Sequence, residues 1–204
     1  MKIGILTIGN ELMNGRTADT NSSFIAREMN LQGWPVEVMM SVSDNADTIK
    51  SRLHYLMTVT DVVICTGGLG PTADDITTAA VARSFGLSLV MDEKVLAYLK
   101  EIFARYNLHW TENNAKQALF PEGAQVIPNP VGTAAGFALH VKDKLVFVIP
   151  GVPGEIFRMV PEGVIPVLSR QFPQAVQQSA KQTIKTFGLS EAEVDKRLAD
   201  FDFE

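Results

Sequence analysis

Three short apolar runs punctuate the first third of the chain: Ile3–Ile8, Val36–Val42 and residues 62–65. Each is rich in β-branched residues and bounded by turn formers, as buried strands are. Two helical patterns lie between them. Residues 21–30 set Phe24, Ile25 and Met29 at helical spacing and stop at Gly33; residues 46–57 set Ile49, Leu53, Leu56 and Met57 on one face. Strand, helix, strand, helix, strand with short connections predicts an α/β fold built on a mostly parallel sheet. Residues 77–85 read as a helix closed at Gly86, residues 87–91 as a short strand, and residues 92–106 as an amphipathic helix capped by Asp92. Residues 136–140 and 145–149 predict an antiparallel hairpin at the sheet edge. A further helix covers residues 154–160, with Pro161 and Pro166 breaking or kinking the chain beyond it.

The pattern changes after Phe172-Pro173. Residues 174–182 are Gln-rich and read as a linker, residues 183–187 as a strand, and residues 190–198 as a helix with a Ser190/Glu193 capping box. The expected organisation is one domain over residues 1–172, then a linker and the start of a second unit over residues 173–204.

Composition narrows the function classes. The chain has 204 residues, 46% hydrophobic and 20% charged, enough for one sizeable core. A net charge of -5 argues against general affinity for nucleic-acid backbones. The single cysteine, Cys65, lies in an apolar run, which leaves neither a disulfide framework nor a Cys-rich metal site. No signal peptide and no apolar stretch of membrane-spanning length is visible, so a soluble cytoplasmic protein is the expectation.

The strongest chemical signal comes directly after the third strand: Thr66-Gly67-Gly68-Leu69-Gly70-Pro71-Thr72-Ala73-Asp74-Asp75-Ile76-Thr77. A strand C-terminus followed by a helix N-terminus is where open α/β sheets bind ligands. Its glycines let backbone N–H groups approach an anion, and the helix end favours phosphate. The plain alternative is a turn with Asp75 or Thr72 capping the helix. The run lacks the Gly-Lys-Ser/Thr of a Walker loop, and Gly68-x-Gly70-x-x-Ala73 matches the dinucleotide fingerprint only loosely. Two carboxylates, Asp74 and Asp75, beside phosphate imply a divalent cation between them.

Other loops reach the same rim. Asp44 comes after the second strand and either shares the site with Asp75 or caps the next helix. Gly9-Asn10-Glu11 comes after the first strand; Glu11 suits a ribose hydroxyl, a base edge or the cation. Asp19-Thr20-Asn21 reads as a helix cap or a ligand contact. Small-residue loops at Asn129-Pro130-Val131-Gly132-Thr133-Ala134-Ala135-Gly136 and Pro150-Gly151-Val152-Pro153-Gly154-Glu155 suit pocket walls or tight turns. The three histidines are scattered, and no Gly-x-Ser-x-Gly elbow is present.

Taken together, Gly9-Asn10-Glu11-Leu12, Asp19-Thr20-Asn21, the run Thr66 to Thr77, Gly132-Thr133-Ala134 and Pro150-Gly151-Val152-Pro153 resemble the N-terminal domain of the CinA (competence/damage-inducible) proteins. That domain belongs with MoaB and MogA in the molybdopterin-binding superfamily, and the match runs from residue 2 to residue 172. Asn10, Ala135 and Ser43 depart from the usual Asp, Pro and Gly of its motifs. The resemblance implies a three-layer α/β/α domain, self-association, and two functional aspartates falling on Asp44 and Asp75. It implies metal-dependent hydrolysis of ADP-ribose or a related nucleotide to AMP and ribose 5-phosphate, with Mg²⁺, Co²⁺ or Mn²⁺ held by Asp44, Asp74 and Asp75. The ligand contacts would be Gly9, Asn10, Glu11, Thr66, Gly67, Gly68, Leu69, Gly70, Pro71, Thr72, Gly132, Thr133 and Gly151. A molybdopterin-binding or adenylyl-transferring protein, or a non-catalytic nucleotide-binding module, are the rival expectations. Residues 185–191 resemble the start of the linker domain of full-length relatives, whose nicotinamide-mononucleotide deamidase domain is expected to lie outside this chain.

Overall fold

The computed structural model describes residues 1–173 and 185–199. The linker expected over 174–182 lies outside the described residues, as do residues 183 and 184; the rest of the strand expected over 183–187 does not form, since residues 185–187 are irregular.

The central sheet is six-stranded, in the order β2-β1-β3-β8-β7-β6. β1 (Ile3–Ile8), β2 (Val36–Val42), β3 (Val62–Thr66) and β8 (Lys144–Ile149) run parallel to one another; β7 (Gly136–Val141) and β6 (Gln125–Ile127) add on through antiparallel pairings. The β7–β8 hairpin forms as expected, but not at the edge. β8 pairs with β3 inside the sheet, and the edge belongs to β6. A separate two-stranded antiparallel sheet joins β4 (Leu89–Met91) to β5 (Leu119–Pro121).

Period-two alternation sends side chains to two cores. Ile3, Ile5, Val62, Ile64, Leu145 and Phe147 face α2 (Thr20–Leu31), α6 (Pro153–Met159) and α7 (Ile165–Gln171). Leu6, Ile8, Val63, Cys65, Val146 and Val148 face α3 (Ala46–Val59) and α4 (Thr77–Ser84). The result is three layers, helices on both faces of the sheet. α5 (Glu93–Arg105) is capped by Asp92, whose carboxylate accepts from the Lys94 and Val95 N–H groups. Residues 160–164 form a wide π-turn between α6 and α7, so Pro161 and Pro166 sit in a chain that stays helical from Pro153 to Gln171. The widened turn makes room for a ring that would otherwise strike the carbonyl four residues back. The capping box of α8 (Glu191–Leu198) forms as expected between Ser190 and Glu193. Among the described residues no helix is long and apolar enough to cross a membrane.

Candidate functional site

A cavity of about 570 Å³ opens along the C-terminal rim of the parallel strands. Thr7, Ile8 and Gly9 at the end of β1, Thr66 to Pro71 after β3, and Pro150 to Pro153 after β8 form its walls. The strand ends are tied together. Thr66 Oγ1 donates to the Pro150 carbonyl at 2.6 Å and the Gly67 N–H to the Ile149 carbonyl at 3.1 Å. Gly67 has φ 112° and packs so closely on the Ile8 carbonyl that a Cβ there would collide with it. Gly68, with φ 66°, brings the loop against Thr77, and a Cβ on it would sit 3.5 Å from Asp44 Oδ1. Within the loop, Gly67, Asp75 and Thr77 donate their N–H groups to backbone carbonyls and Thr72 donates to Asp75; Gly68, Leu69 and Gly70 make no such bond. All three residues line the cavity in the loop that leads to α4, and N–H groups left without a backbone acceptor in such a loop are able to receive an anion.

Six carboxylates line the same cavity: Glu11, Asp19, Asp44, Asp74, Asp75 and Glu155. No Lys, Arg or His does so among the described residues. Asp19 is structural, capping α2 at Ser22 N (2.9 Å) and accepting from the Thr7 and Ser41 hydroxyls at 2.9 and 3.3 Å. Asp44 does not cap α3; Asn45 does, accepting from the Thr48 N–H. Instead Asp44 Oδ2 accepts from the Asn10 N–H at 2.8 Å, while Asn10 Oδ1 accepts from the Asp44 N–H at 3.3 Å. Burial pushes the Asp44 carboxyl above its ordinary range, the Asn10 N–H opposes this, and the charges of Glu11, Asp74 and Asp75 add to it.

Asp75 is not a helix cap either. α4 begins after Ile76 with no side-chain cap. The Asp75 carboxylate turns back into the loop and accepts from Thr72 N at 2.9 Å and Thr72 Oγ1 at 2.7 Å. Asp74 is fully exposed; its hydrogen bond from the Thr72 hydroxyl, helped by the charge of Lys116, holds its carboxyl below the ordinary range.

Of the residues expected to touch a ligand, Gly9, Glu11, Thr66, Gly67, Gly68, Leu69, Gly70, Pro71, Thr133 and Gly151 line the cavity. Asn10, Thr72 and Gly132 stand behind it: Asn10 holds Asp44, Thr72 holds Asp74 and Asp75, and Gly132 lies under Glu155. Lys116 and Gln117 carried no signal in the sequence as site residues, while Asn129 and Glu155 lie in the two loops read as pocket walls or tight turns. Lys116 Nζ donates to the Thr72 carbonyl at 2.6 Å. Gln117 bridges the Leu69 carbonyl and the Thr133 hydroxyl at 3.4 and 3.3 Å. Burial raises the half-buried Glu155 carboxyl above its ordinary range, against the hydrogen bond from Asn129.

The donor set decides what cation would fit. Among the described residues no three His, Cys, Asp or Glu side chains are grouped to hold a metal, so Asp44, Asp74 and Asp75 do not form a ready-made site. Mg²⁺ commonly takes one or two carboxylates and completes its shell with ligand phosphate and water. Asp44, partly buried and oriented by the Asn10 N–H, suits that partial role.

A family model described as a probable molybdopterin binding domain matches residues 4–170. The chain belongs to this family. The CinA-like protein of Syntrophus aciditrophicus is 60% identical over 204 residues, covering 100% of this chain and 49% of that protein. The CinA-like protein of Geobacter metallireducens is 42% identical over 203 residues, again reaching 49% of the relative. The chain therefore spans about half the length of the curated relatives it matches. Among solved structures, the protein CinA of unknown function from Thermoplasma acidophilum shares 32% identity at a TM-score of 0.75, over 87% of this chain and all of that one. The molybdopterin biosynthesis enzyme MoaB of Thermus thermophilus, 20% identical with a TM-score of 0.58 over 86% of this chain and 96% of that one, shares the fold. The domain is thus a CinA N-terminal domain of MoaB/MogA-like architecture.

Proposed function

We propose that the domain binds a phosphorylated pterin or nucleotide, with the phosphate on the Gly68–Gly70 N–H groups and a divalent cation between it and Asp44. The observation that carries this reading is a free N–H cradle on a cavity lined by carboxylates and no basic side chain. An anion held there gains hydrogen bonds from the loop but faces fixed negative charge, which a cation would offset. The family and its MoaB neighbour are both tied by description to molybdopterin, which supports the pterin half of the reading.

A second reading is hydrolysis of the pyrophosphate bond of ADP-ribose or a similar nucleotide. It is favoured by Asp44, whose raised carboxyl reports burial and crowding by Glu11, Asp74 and Asp75. When bound, the cation would neutralise charge developing on the leaving phosphate. Asp44, oriented by Asn10, and Asp75, fixed by Thr72, would position it.

Isothermal titration with ADP-ribose and with AMP, each with and without Mg²⁺, Co²⁺ or Mn²⁺, tests the binding reading. Chromatography for AMP after incubation with ADP-ribose tests the second. Cation-dependent binding that weakens at least about tenfold in Asp75→Asn is expected. Absence of binding under every condition rules out the nucleotide half of the first reading; binding without AMP release leaves the domain a binding module.

A further inference from the structure

Beside the glycine loop, two side chains that line the cavity, Gln117 and Asn21, carry buried acceptor oxygens with no donor. Gln117 is 7% exposed, and its Nε2 donates to the Leu69 carbonyl at 3.4 Å and to Thr133 Oγ1 at 3.3 Å. A carbonyl only accepts, so the Leu69 contact fixes which end of the amide is nitrogen. Gln117 Oε1 is left an acceptor without a partner. Asn21 repeats the arrangement: its Nδ2 donates to the Gly151 carbonyl at 2.8 Å and its Oδ1 is unpartnered.

Glu155 stands on the same stretch of wall as Gln117. Its Oε1 leans over Gly132, the neighbour of the Thr133 that Gln117 holds. Its Oε2 accepts from Asn129 Nδ2 at 2.9 Å. Asn129 is 4% exposed and fully engaged: it also donates to the Ala134 carbonyl, and its Oδ1 accepts from the Val131 and Gly132 N–H groups. Glu155, which lines the cavity, is thus oriented through Oε2 by a rigid partner, and its Oε1 accepts no hydrogen bond from the described residues. A buried acceptor without a donor is costly, so such a wall favours a ligand that supplies N–H groups.

We propose that Glu155 and Gln117 form a second subsite, which receives an amino-bearing nitrogen heterocycle. Its exocyclic amine donates to Glu155 Oε1, and Gln117 Oε1 is the deeper acceptor. This rests on the reading above, in which the ligand's phosphate occupies the glycine loop. A site built to accept hydrogen bonds rejects analogues that lack the donor.

AMP, GMP and IMP, titrated calorimetrically in Mg²⁺, test the subsite. IMP carries an oxo group where AMP has its amine. GMP adds to IMP a 2-amino group in the 2-amino-4-oxo pattern that pterins share. For the wild-type protein, AMP or GMP is expected to bind at least about tenfold tighter than IMP, and the tighter of the two identifies the ring. In Glu155→Gln the new amide must still offer oxygen to Asn129, which turns its NH₂ into the cavity; the preference should then reverse toward IMP. Pyrophosphate with Mg²⁺ should bind wild type and variant alike, which shows that the variant is folded and its glycine loop intact. Equal affinity for all three nucleotides in the wild type overturns the subsite. So does an unchanged preference in Glu155→Gln, or a parallel loss of pyrophosphate. If neither the nucleotides nor pyrophosphate binds the wild type, it is the phosphate reading that fails, and the subsite with it.

Discussion

Replacing Gly67 by alanine should separate the glycines that hold the fold from those that shape the site. Gly67 comes directly after β3, and its N–H is bonded to Ile149 at the end of β8. A Cβ there would collide with the Ile8 carbonyl oxygen and lie 3.1 Å from its carbon, at the end of β1. The backbone at φ 112° is one that residues with a Cβ rarely adopt, at a cost of about 1–3 kcal/mol. Forcing an extra carbon between two paired strands adds about 1–3 kcal/mol more. The sum, about 2–6 kcal/mol, is a large part of a domain's total of about 5–15 kcal/mol. At about 2–4 °C per kcal/mol for a domain of this size, the melting temperature should fall by at least about 4 °C. Gly70→Ala is the control. Gly70 is not in the left-handed region, and the nearest atoms its Cβ would meet are those of the Asp75 carboxylate, 3.0 Å from Cγ, a side-chain end whose displacement costs hydrogen bonds to Thr72 but moves no strand. Its melting temperature should stay within about 2 °C, while phosphate affinity falls because the cradle narrows. Thermal melts of the two variants beside the wild type decide the matter. Equal melting temperatures for Gly67→Ala and wild type would refute the claim that this glycine is required by strand-end packing.

Two further outcomes concern stability. The carboxyls of Asp44 and Glu155 are raised above their ordinary values of 3.8 and 4.5, so their contribution is complete below those values and is lost as pH rises through the folded ones. Asp44→Asn and Glu155→Gln should therefore melt higher than wild type at pH 7, with the gain shrinking toward pH 4; a gain independent of pH would disprove the electrostatic cause. Asp74 works in the opposite sense, since its lowered carboxyl favours folding above its ordinary value and that contribution is lost on acidification. Truncation after residue 173 should leave the melting temperature within about 2 °C, because no residue of α8 is buried; a larger fall would show that the removed segment supports the domain.

Strong periodicity made part of the fold legible in the sequence. β1 and β3 are apolar on both faces, α2, α3 and α5 announce themselves by spacing, and α2 and α5 also by the caps Asp19 and Asp92. β5 and β6 are three residues each, too short for a period of two to register, and β5 ends in a proline. The continuity of α6 into α7 was hidden because Pro161 and Pro166 are ordinarily helix breakers, and a π-turn is not written in local composition. The glycine loop was visible because its glycines and acids lie close together in one short run. Gln117 was not, and the loops holding Asn129 and Glu155 read as pocket walls without individual roles, because these side chains converge only through the pairing of β7 with β6 and β8 and the placement of α6. The roles of the acids also depended on tertiary contacts: Asp44 and Asp75 both stand where a cap belongs, yet each bonds elsewhere.

The charge of the cavity leads to one more expectation. Two unit negative charges about 6 Å apart repel by roughly 3 kcal/mol at an effective dielectric of about 20. Asp44, Asp75 and their neighbours therefore oppose a phosphate by an amount comparable with what a few loop N–H groups return. Without a standing set of three ligands among the described residues, the domain should also hold a divalent cation weakly by itself. Each of the two should bind poorly alone and well with the other. Linkage then requires one coupling factor: whatever Mg²⁺ does to the affinity for AMP, AMP must do to the affinity for Mg²⁺. On the proposed reading that factor is at least about tenfold, and Asp44→Asn should reduce it while improving AMP binding in the absence of Mg²⁺, since it removes both a cation ligand and a repelling charge. Calorimetric titrations around the full cycle give both legs independently. A factor near one, or AMP binding without Mg²⁺ that worsens in Asp44→Asn, would show that the carboxylates do not face the phosphate.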